Sequence, residues 1–310
     1  MTIRPLPAAL QKKAEEELNE TPGRTTTDIK ILRDWLGQQP HLCSVNPSDQ
    51  WLVAFLRGCK YNIEKAKGKI DMYYTLKTTI PEFYENRDPL DPGIQELLNL
   101  GVFLPLNQCV HDDSPRILLS RSGLFSQTSR PLSDLIKLAL MIIEILVIED
   151  DNTTIAGADI LVDAKDVALR LVWHWTPSMA KKSVACLEKA LSVRLKSMHL
   201  LNAPFFVGPA IKLFKMFLSA KIRDRIHAHS KDYDTLYDYL PKTILPEEYG
   251  GTDGTLKELA EHWKAKVESY RDWFLENECS DESRRPKKPN SGIFSSMMRP
   301  FQSSPPLEVD

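Results

Sequence analysis

The sequence predicts a helical N-terminal lobe followed by a mixed α/β domain, and three observations carry that prediction. Apolar residues recur at helical spacing through the first ninety residues, and short β-type runs alternate with helical segments after Asp88-Pro-Leu-Asp-Pro92. A composition of 42% hydrophobic and 26% charged residues over 310 positions is that of an ordinary globular chain with a sizeable core. The expected division is a helical lobe over 1–90, an α/β domain over 91–277 and a flexible tail over 278–310, where Ser, Pro and charge accumulate with few apolar anchors.

Element by element, Ala8 to Asn19 reads as a charged helix. Thr27-Asp28 is placed to cap a second helix carrying Ile29, Leu32, Trp35 and Leu36 on its apolar stripe. Ser48-Asp49 precedes a third, with Trp51, Leu52, Phe55 and Leu56 on one face. Asn62 opens a fourth through Ile63, Ala66, Ile70, Tyr73, Tyr74 and Leu76, which ends near Pro81. Strands are expected at Val102–Leu104, Arg116–Ser120, Ile155–Val162, Arg194–Leu201 and Arg225–His229. Helices are expected at Leu132–Glu149, Pro177–Leu191, Pro209–Ala220, Tyr233–Tyr239 and Thr255–Asn277.

Charge and cysteine usage narrow the function classes. A formal net charge of −2 offers no global attraction to nucleic acid or to anionic membrane, so affinity of that kind needs a local cluster. The five cysteines, Cys43, Cys59, Cys109, Cys186 and Cys279, are scattered and form no CxxC pair, as expected for reduced thiols inside a cell. Met1 to Pro7 contains no continuous apolar stretch of the secretory kind, and Leu135–Ile148 is too short to span a bilayer, so a cytoplasmic chain is expected.

Catalytic and metal motifs find little support. GxSxG, Walker A and GxGxxG patterns are absent, so no enzyme and no cofactor are expected. His227 and His229 share a face of a strand and read either as metal ligands or as hydrogen-bonded strand histidines. With no third ligand nearby the second reading is preferred, and no metal is expected. His111-Asp112-Asp113 before Ser114-Pro115 reads as a polar turn, and Arg284-Arg-Pro-Lys-Lys288 as a solvated basic patch.

The informative segment is a basic, apolar, basic succession: Arg194-Leu-Lys196, then Pro204 to Leu218, then Lys221-Ile-Arg-Asp-Arg225. On a helix, Lys212, Lys215 and Ser219 fall in one narrow arc while Ile211, Leu213, Phe214, Met216, Phe217 and Leu218 spread over roughly 220°, wider than a surface helix needs. Two fates fit that width. The helix is buried on both sides in protein, or one side faces a lipid-holding cavity and meets membrane when the cavity opens.

A resemblance enters through five motifs in order: Phe55-Leu-Arg-Gly-Cys-Lys-Tyr-Asn62, Thr176-Pro-Ser-Met-Ala-Lys-Lys182, His199-Leu-Leu-Asn202, Lys221-Ile-Arg-Asp-Arg-Ile-His227 and Leu245-Pro-Glu-Glu-Tyr-Gly-Gly251. From about Thr27 to Phe274 the chain resembles the CRAL-TRIO lipid-binding family, in the branch of the tocopherol-transfer, clavesin and retinaldehyde-binding proteins. The resemblance implies a helical lobe, a mixed-sheet cage around a hydrophobic ligand, and a mobile gate helix formed by Phe205, Phe206, Val207, Ala210, Ile211, Leu213, Phe214, Phe217 and Leu218. It implies a phosphatidylinositol bisphosphate site at Arg57, Arg194, Lys196, Lys221 and Arg225, whose spacings suit a phosphate clamp. By the same likeness Leu169 and Trp173 would touch membrane, and Ser183, Cys186, Leu187, Leu191 and Met198 would line the lipid pocket. Both Trp173 and nearby Trp175 have the alternative of packing between helix and sheet.

Departures from the family pattern are local. Asp163-Ala-Lys-Asp166 lacks the usual turn glycine, Leu191-Ser192 replaces an aromatic-Pro pair, and Gly208-Pro209 is expected to delay the start of the gate helix. The expected function is transfer of one hydrophobic lipid by a monomer that docks peripherally on endosomal or other phosphoinositide-bearing membranes, with no nucleic-acid partner. The alternative is a phosphoinositide-dependent sensor or trafficking adaptor that does not transfer. Retinoid, tocopherol-like, sterol and phospholipid cargoes all stay open.

Overall fold

The computed structural model describes residues 3–21, 23–229, 233–276 and 281–286. Its N-terminal lobe contains α1 (Ala8–Leu18), α2 (Arg24–Gln38), α3 (Asp49–Gly58), α4 (Ile63–Thr79) and the short α5 (Pro81–Tyr84). The caps are those the sequence signals for α3 and α4: Ser48 Oγ accepts from Trp51 N at 3.2 Å and Asn62 Oδ1 from Lys65 N at 2.9 Å. Helix α2 departs from expectation. It starts at Arg24, after Gly23 at φ 81°, so Thr27 and Asp28 lie inside it and buried Asp28 accepts from Arg24 Nε at 3.0 Å instead of capping.

Beyond the lobe come α6 (Pro92–Leu100), β1 (Phe103–Pro105), β2 (Arg116–Arg121), α7 (Ser122–Phe125), α8 (Leu132–Glu149), α9 (Asp151–Ile155), β3 (Ala158–Asp163), α10 (Leu169–His174) and α11 (Pro177–Val184). A π-helical turn, Ala185–Ala190, continues α11 and leads to β4 (Leu195–Leu201). A 3₁₀ turn at Phe205–Val207 then precedes α12 (Gly208–Phe217), α13 (Ala220–Arg223), β5 (Ile226–Ala228), α14 (Asp234–Tyr237), α15 (Leu256–Ser269) and α16 (Arg271–Leu275). Ile155, expected in a strand, ends α9 because Gly157 at φ 101° turns the chain before β3 begins.

The five strands lie in sequence order, with β1 antiparallel to β2 and the other pairs parallel. Register places Phe103, Ser120, Val162 and Leu200 in one cross-strand row and Leu118, Ile160, Met198 and Ile226 in the next, all on one face. Helix α8 covers that face and buries both of its sides, which explains its nearly uninterrupted apolar sequence. One core cluster runs from Ile29 in α2 to Phe274 in α16, so the helical lobe and the sheet share an interior. Part of the expected tail also has a partner: Asp281 N donates to His41 O, and Arg285 pairs with Asp71 at 2.9 Å. Arg285 therefore leaves the solvated basic patch the sequence suggested, while Lys287 and Lys288 lie outside the described residues.

Candidate functional site

The sheet face and the helices above it enclose a cavity of about 230 Å³. Ile160, Val162, Met198, Leu200 and Ile226 form its floor, and Leu135, Ile136, Ala139 and Ile143 of α8 one wall. No charged side chain lines it among the described residues, and the hydroxyl of Ser183 is already donated to Met179 O at 2.9 Å within its own helix. An engineered apolar cavity of about 150 Å³ stays dry and takes up benzene. A larger space with so little for water to bind suits an apolar guest.

The outer wall is α12 with the 3₁₀ turn before it, contributing Val207, Ala210, Ile211 and Phe214. No residue of α12 is fully buried, although the helix is mostly apolar. Its inner side faces the cavity and its outer side faces out, so the helix is not buried on both sides in protein. Helix α10 packs beside the 3₁₀ turn. Together these segments expose Leu169 (52%), Trp173 (76%), Phe205 (94%) and Met216 (73%). The two tryptophans divide: Trp175 is half-buried, with its ring 5.6 Å from that of Phe214 and edge-on to it, while Trp173 stands free of the core.

Beyond the C-terminal end of α12 lies a group of cations. Arg194, Lys196 and Arg225 are half-buried and Lys221 is exposed, and none forms an ion pair among the described residues. Burial, followed by the repulsion of Arg194, Lys13 and Arg225, holds the Lys196 ammonium below its ordinary value. Burial likewise lowers Arg194. Glu17 offsets part of this lowering at both residues, and Arg194 gives its two Nη atoms to the carbonyls of Arg57 and Ile155. Lys13, brought in by α1 and paired with Asp113 at 3.1 Å, is a neighbour the sequence did not flag, since a lysine on a charged helix carries no local signal.

Comparison with known proteins bears on this arrangement. Residues 110–251 match the CRAL/TRIO domain and residues 21–94 the Pinta-like UBA domain. The alpha-tocopherol transfer protein-like protein of Mus musculus is 30% identical over 270 residues, 87% of this chain and 77% of that one. Clavesin-1 of Rattus norvegicus is 28% identical over 241 residues, 78% of this chain and 68% of that one. The chain belongs to the CRAL/TRIO family. The crystal structure of Sfh5, at 14% identity and a TM-score of 0.52 over 89% of this chain and all of that one, shows the shared fold.

Several expected site residues of this CRAL/TRIO chain sit elsewhere than foreseen. Arg57 is 1% exposed: Nε and Nη2 donate to Glu20 at 2.8 and 3.0 Å, and Nη1 lies 3.4 Å from Asp151. Its guanidinium faces carboxylates rather than solvent, and it serves the cation group through its carbonyl, which accepts from Arg194 Nη1 at 2.9 Å. Ser183, Cys186, Leu187 and Met198 line the cavity, but Leu191 does not; it closes the π-helical turn inside the main core. Burial pushes the Cys186 thiol up to about 12, which makes it a neutral apolar wall.

Helix α12 starts earlier than expected, because Gly208 is already helical and Pro209 occupies the first turn, where its missing N–H costs nothing. Leu218 falls outside the helix in extended backbone, 4% exposed, and packs with Val184 and Ile222. The turn that lacks its family glycine is made by Asp166 in the left-handed region at φ 58°, with Asp163 Oδ1 accepting from Lys165 N at 2.9 Å.

On the opposite face of the sheet, Asp159, Ser197, His199, His229 and Thr235 form one hydrogen-bonded chain with links of 2.6, 2.8, 2.8 and 3.0 Å. His227 stacks on His199 at 5.3 Å. The strand histidines are thus tied into hydrogen bonding and ring contacts, with His199, which the sequence did not single out for this, at their centre.

Proposed function

We propose that this chain carries one hydrophobic lipid in the cavity under α12 and transfers it between membranes, docking on phosphoinositide-bearing membrane through Arg194, Lys196, Lys221 and Arg225. Membership of the CRAL/TRIO family supports lipid binding and transfer in general terms. The observation that carries the specific reading is the double-sided exposure of α12: one apolar side walls an uncharged cavity and no residue of the helix is sealed in protein. Trp173, Leu169 and Phe205 beside it supply apolar groups that favour a membrane interface.

The mechanism is a population shift. A headgroup that binds the cations more tightly when α12 is displaced favours the open state by that difference in affinity, and ligand leaves. No covalent step is needed. Transfer of a fluorescent lipid between vesicles, with and without phosphatidylinositol bisphosphate, tests the reading. Acceleration by the phosphoinositide, lost in Arg194→Ala with Lys221→Ala, is expected. Phosphoinositide-dependent binding without transfer would make the protein a sensor or adaptor, and equal transfer to vesicles with and without the phosphoinositide would remove the clamp.

A further inference from the structure

Ser120 is the one polar side chain in the two cross-strand rows that face the lipid cavity, set between Phe103 and Val162. An aliphatic residue would be the ordinary choice there, since a hydroxyl turned into an apolar space gives up water without a replacement. Two residues on, Ser122 opens α7 and lines the same end of the cavity. Neither hydroxyl has a hydrogen-bond partner among the described residues. Other serines nearby do: Ser126 donates to Gly123 O at 2.7 Å, and Ser183, the third serine of the lining, to Met179 O at 2.9 Å. The side-chain hydroxyls of Tyr84 and Ser192 are sealed in protein, whereas those of Ser120 and Ser122 keep accessible surface.

The rest of the lining decides what such a pair can meet. No charged side chain lines the cavity among the described residues, so a carboxylate or phosphate held there would find no counter-charge. A hydrocarbon would leave both hydroxyls unmet. A hydroxyl or carbonyl oxygen suits either serine, because a serine hydroxyl both donates and accepts. Both serines lie at the carboxyl end of β2, and Ile160, Met198 and Ile226 form an unbroken apolar row on the floor behind them.

We propose that the cargo is a neutral lipid with a single hydrogen-bonding oxygen, an alcohol or a carbonyl compound. Its oxygen meets Ser120 and Ser122 at the carboxyl end of β2, and its apolar body lies over Ile160, Met198 and Ile226. The assignment rests on the reading of this cavity as the lipid site and goes beyond it in naming the chemical class. Fatty-acid anions and hydrocarbons fall outside that class. In proportion to the roughly 150 Å³ that takes up benzene, a space of about 230 Å³ holds about nine or ten carbons, the size of geraniol.

Equilibrium dialysis of the full chain against geraniol, the hydrocarbon myrcene and the anion geranate, which share one carbon skeleton, tests the proposal. Geraniol is expected to bind about tenfold more tightly than either of the others. A cavity indifferent to the oxygen would prefer myrcene, which brings no hydroxyl to desolvate. Ser120→Ala with Ser122→Ala removes two hydroxyls that brace nothing, so the urea midpoint is expected to stay at or above the parent's. In that variant geraniol binding should weaken about tenfold while myrcene stays within about threefold. Leu200→Trp, which fills the same cavity, should abolish binding of all three. Myrcene or geranate binding as tightly as geraniol, or geraniol unmoved by the serine substitutions, would overturn the class and leave the lipid reading standing. Uptake of a fluorescent lipid without any binding of geraniol would do the same. Loss of both, or binding that survives Leu200→Trp, would overturn the lipid reading and this inference with it.

Discussion

Replacement of Arg57 by methionine separates the two roles open to that residue, lipid contact and internal brace. In the brace reading its side chain never reaches a headgroup, and the loss falls on stability. The forked pair with Glu20, at 2.8 and 3.0 Å, is buried on both sides, with Glu20 7% exposed. Breaking a buried pair by removing one partner costs about 3–5 kcal/mol, because the other charge stays behind. Asp151 keeps Arg4, at 2.7 and 2.9 Å, so only Glu20 is orphaned and the expected loss lies at the low end, about 3 kcal/mol. Against a total of about 5–15 kcal/mol that is a large fraction. Glu20→Gln added to Arg57→Met removes the stranded charge and is expected to recover most of it.

Urea unfolding followed by tryptophan fluorescence gives the first quantity, and co-sedimentation with phosphoinositide vesicles, under conditions where the variant is folded, gives the second. The brace reading expects the double variant to bind vesicles within about threefold of the parent, a difference below 1 kcal/mol. A single variant of unchanged stability that has lost vesicle binding would refute it, and would return Arg57 to the headgroup site.

Other expectations follow from the same geometry. Trp173→Ser with Phe205→Ser should leave the urea midpoint unchanged, since both rings are exposed, yet weaken vesicle binding at least about tenfold, given about 1.5–3 kcal/mol for each aromatic side chain fully buried. Leu200→Trp, projecting from the cavity floor, should abolish lipid uptake in a fluorescent-lipid binding assay while circular dichroism stays that of the parent. Burial, then His229 and His227, hold the His199 ring down to about 4. The unfolded chain therefore takes up its proton first as pH falls, so stability should decline from about pH 6.5 to about pH 4 and then level off as far as this group is concerned. His199→Gln should flatten that slope in urea titrations, and a slope equal to the parent's would discard the assignment. Gly58→Ala should destabilise strongly, because a Cβ there would sit 2.1 Å from Ser192 O, and an unchanged melting temperature would show that this approach is looser than described.

Legibility in the sequence followed the range of the physical signal. Caps and periodicity act within a turn or two, so α3 and α4, opened by Ser48 and Asn62, and α8 could be read directly. Asp91 caps helix α6 and Pro92 opens it, but the same Asp-Pro run equally signals a boundary between lobe and domain, which hides the helix in the sequence. Helix α10 is six residues long and exposes Leu169 and Trp173, so no apolar stripe marks it. Within the site, Met198 and Cys186 are legible as cavity residues through the family resemblance, whereas the fate of Arg57 turns on Glu20 and Asp151, 37 and 94 positions away. Charge spacing shows which cations can share a face; it does not show which of them already has an acid waiting in the fold.

The attachment of α12 gives the proposed opening a physical route. Its C-terminal end rests on a small core of Val184, Leu218 and Ile222, separate from the main core, with Phe214, Phe217, Leu195 and Ile226 packed around it. Glu188 in the π-helical turn fixes the joint by accepting from Ser219 N at 3.0 Å and Ser219 Oγ at 3.2 Å. Lys221 follows two residues later on α13, which lies against β4, the strand that carries Lys196. An anion drawing Lys221 toward Lys196 and Arg225 would thus act on the fixed end of α12, while at the other end Phe205 is exposed and Phe206 and Val207 are only half-buried against the main core. In that reading the helix pivots on Ser219, and Glu188→Gln, which weakens a charge-assisted anchor without touching cation or cavity, should raise the rate of lipid transfer to neutral vesicles more than it changes phosphoinositide affinity.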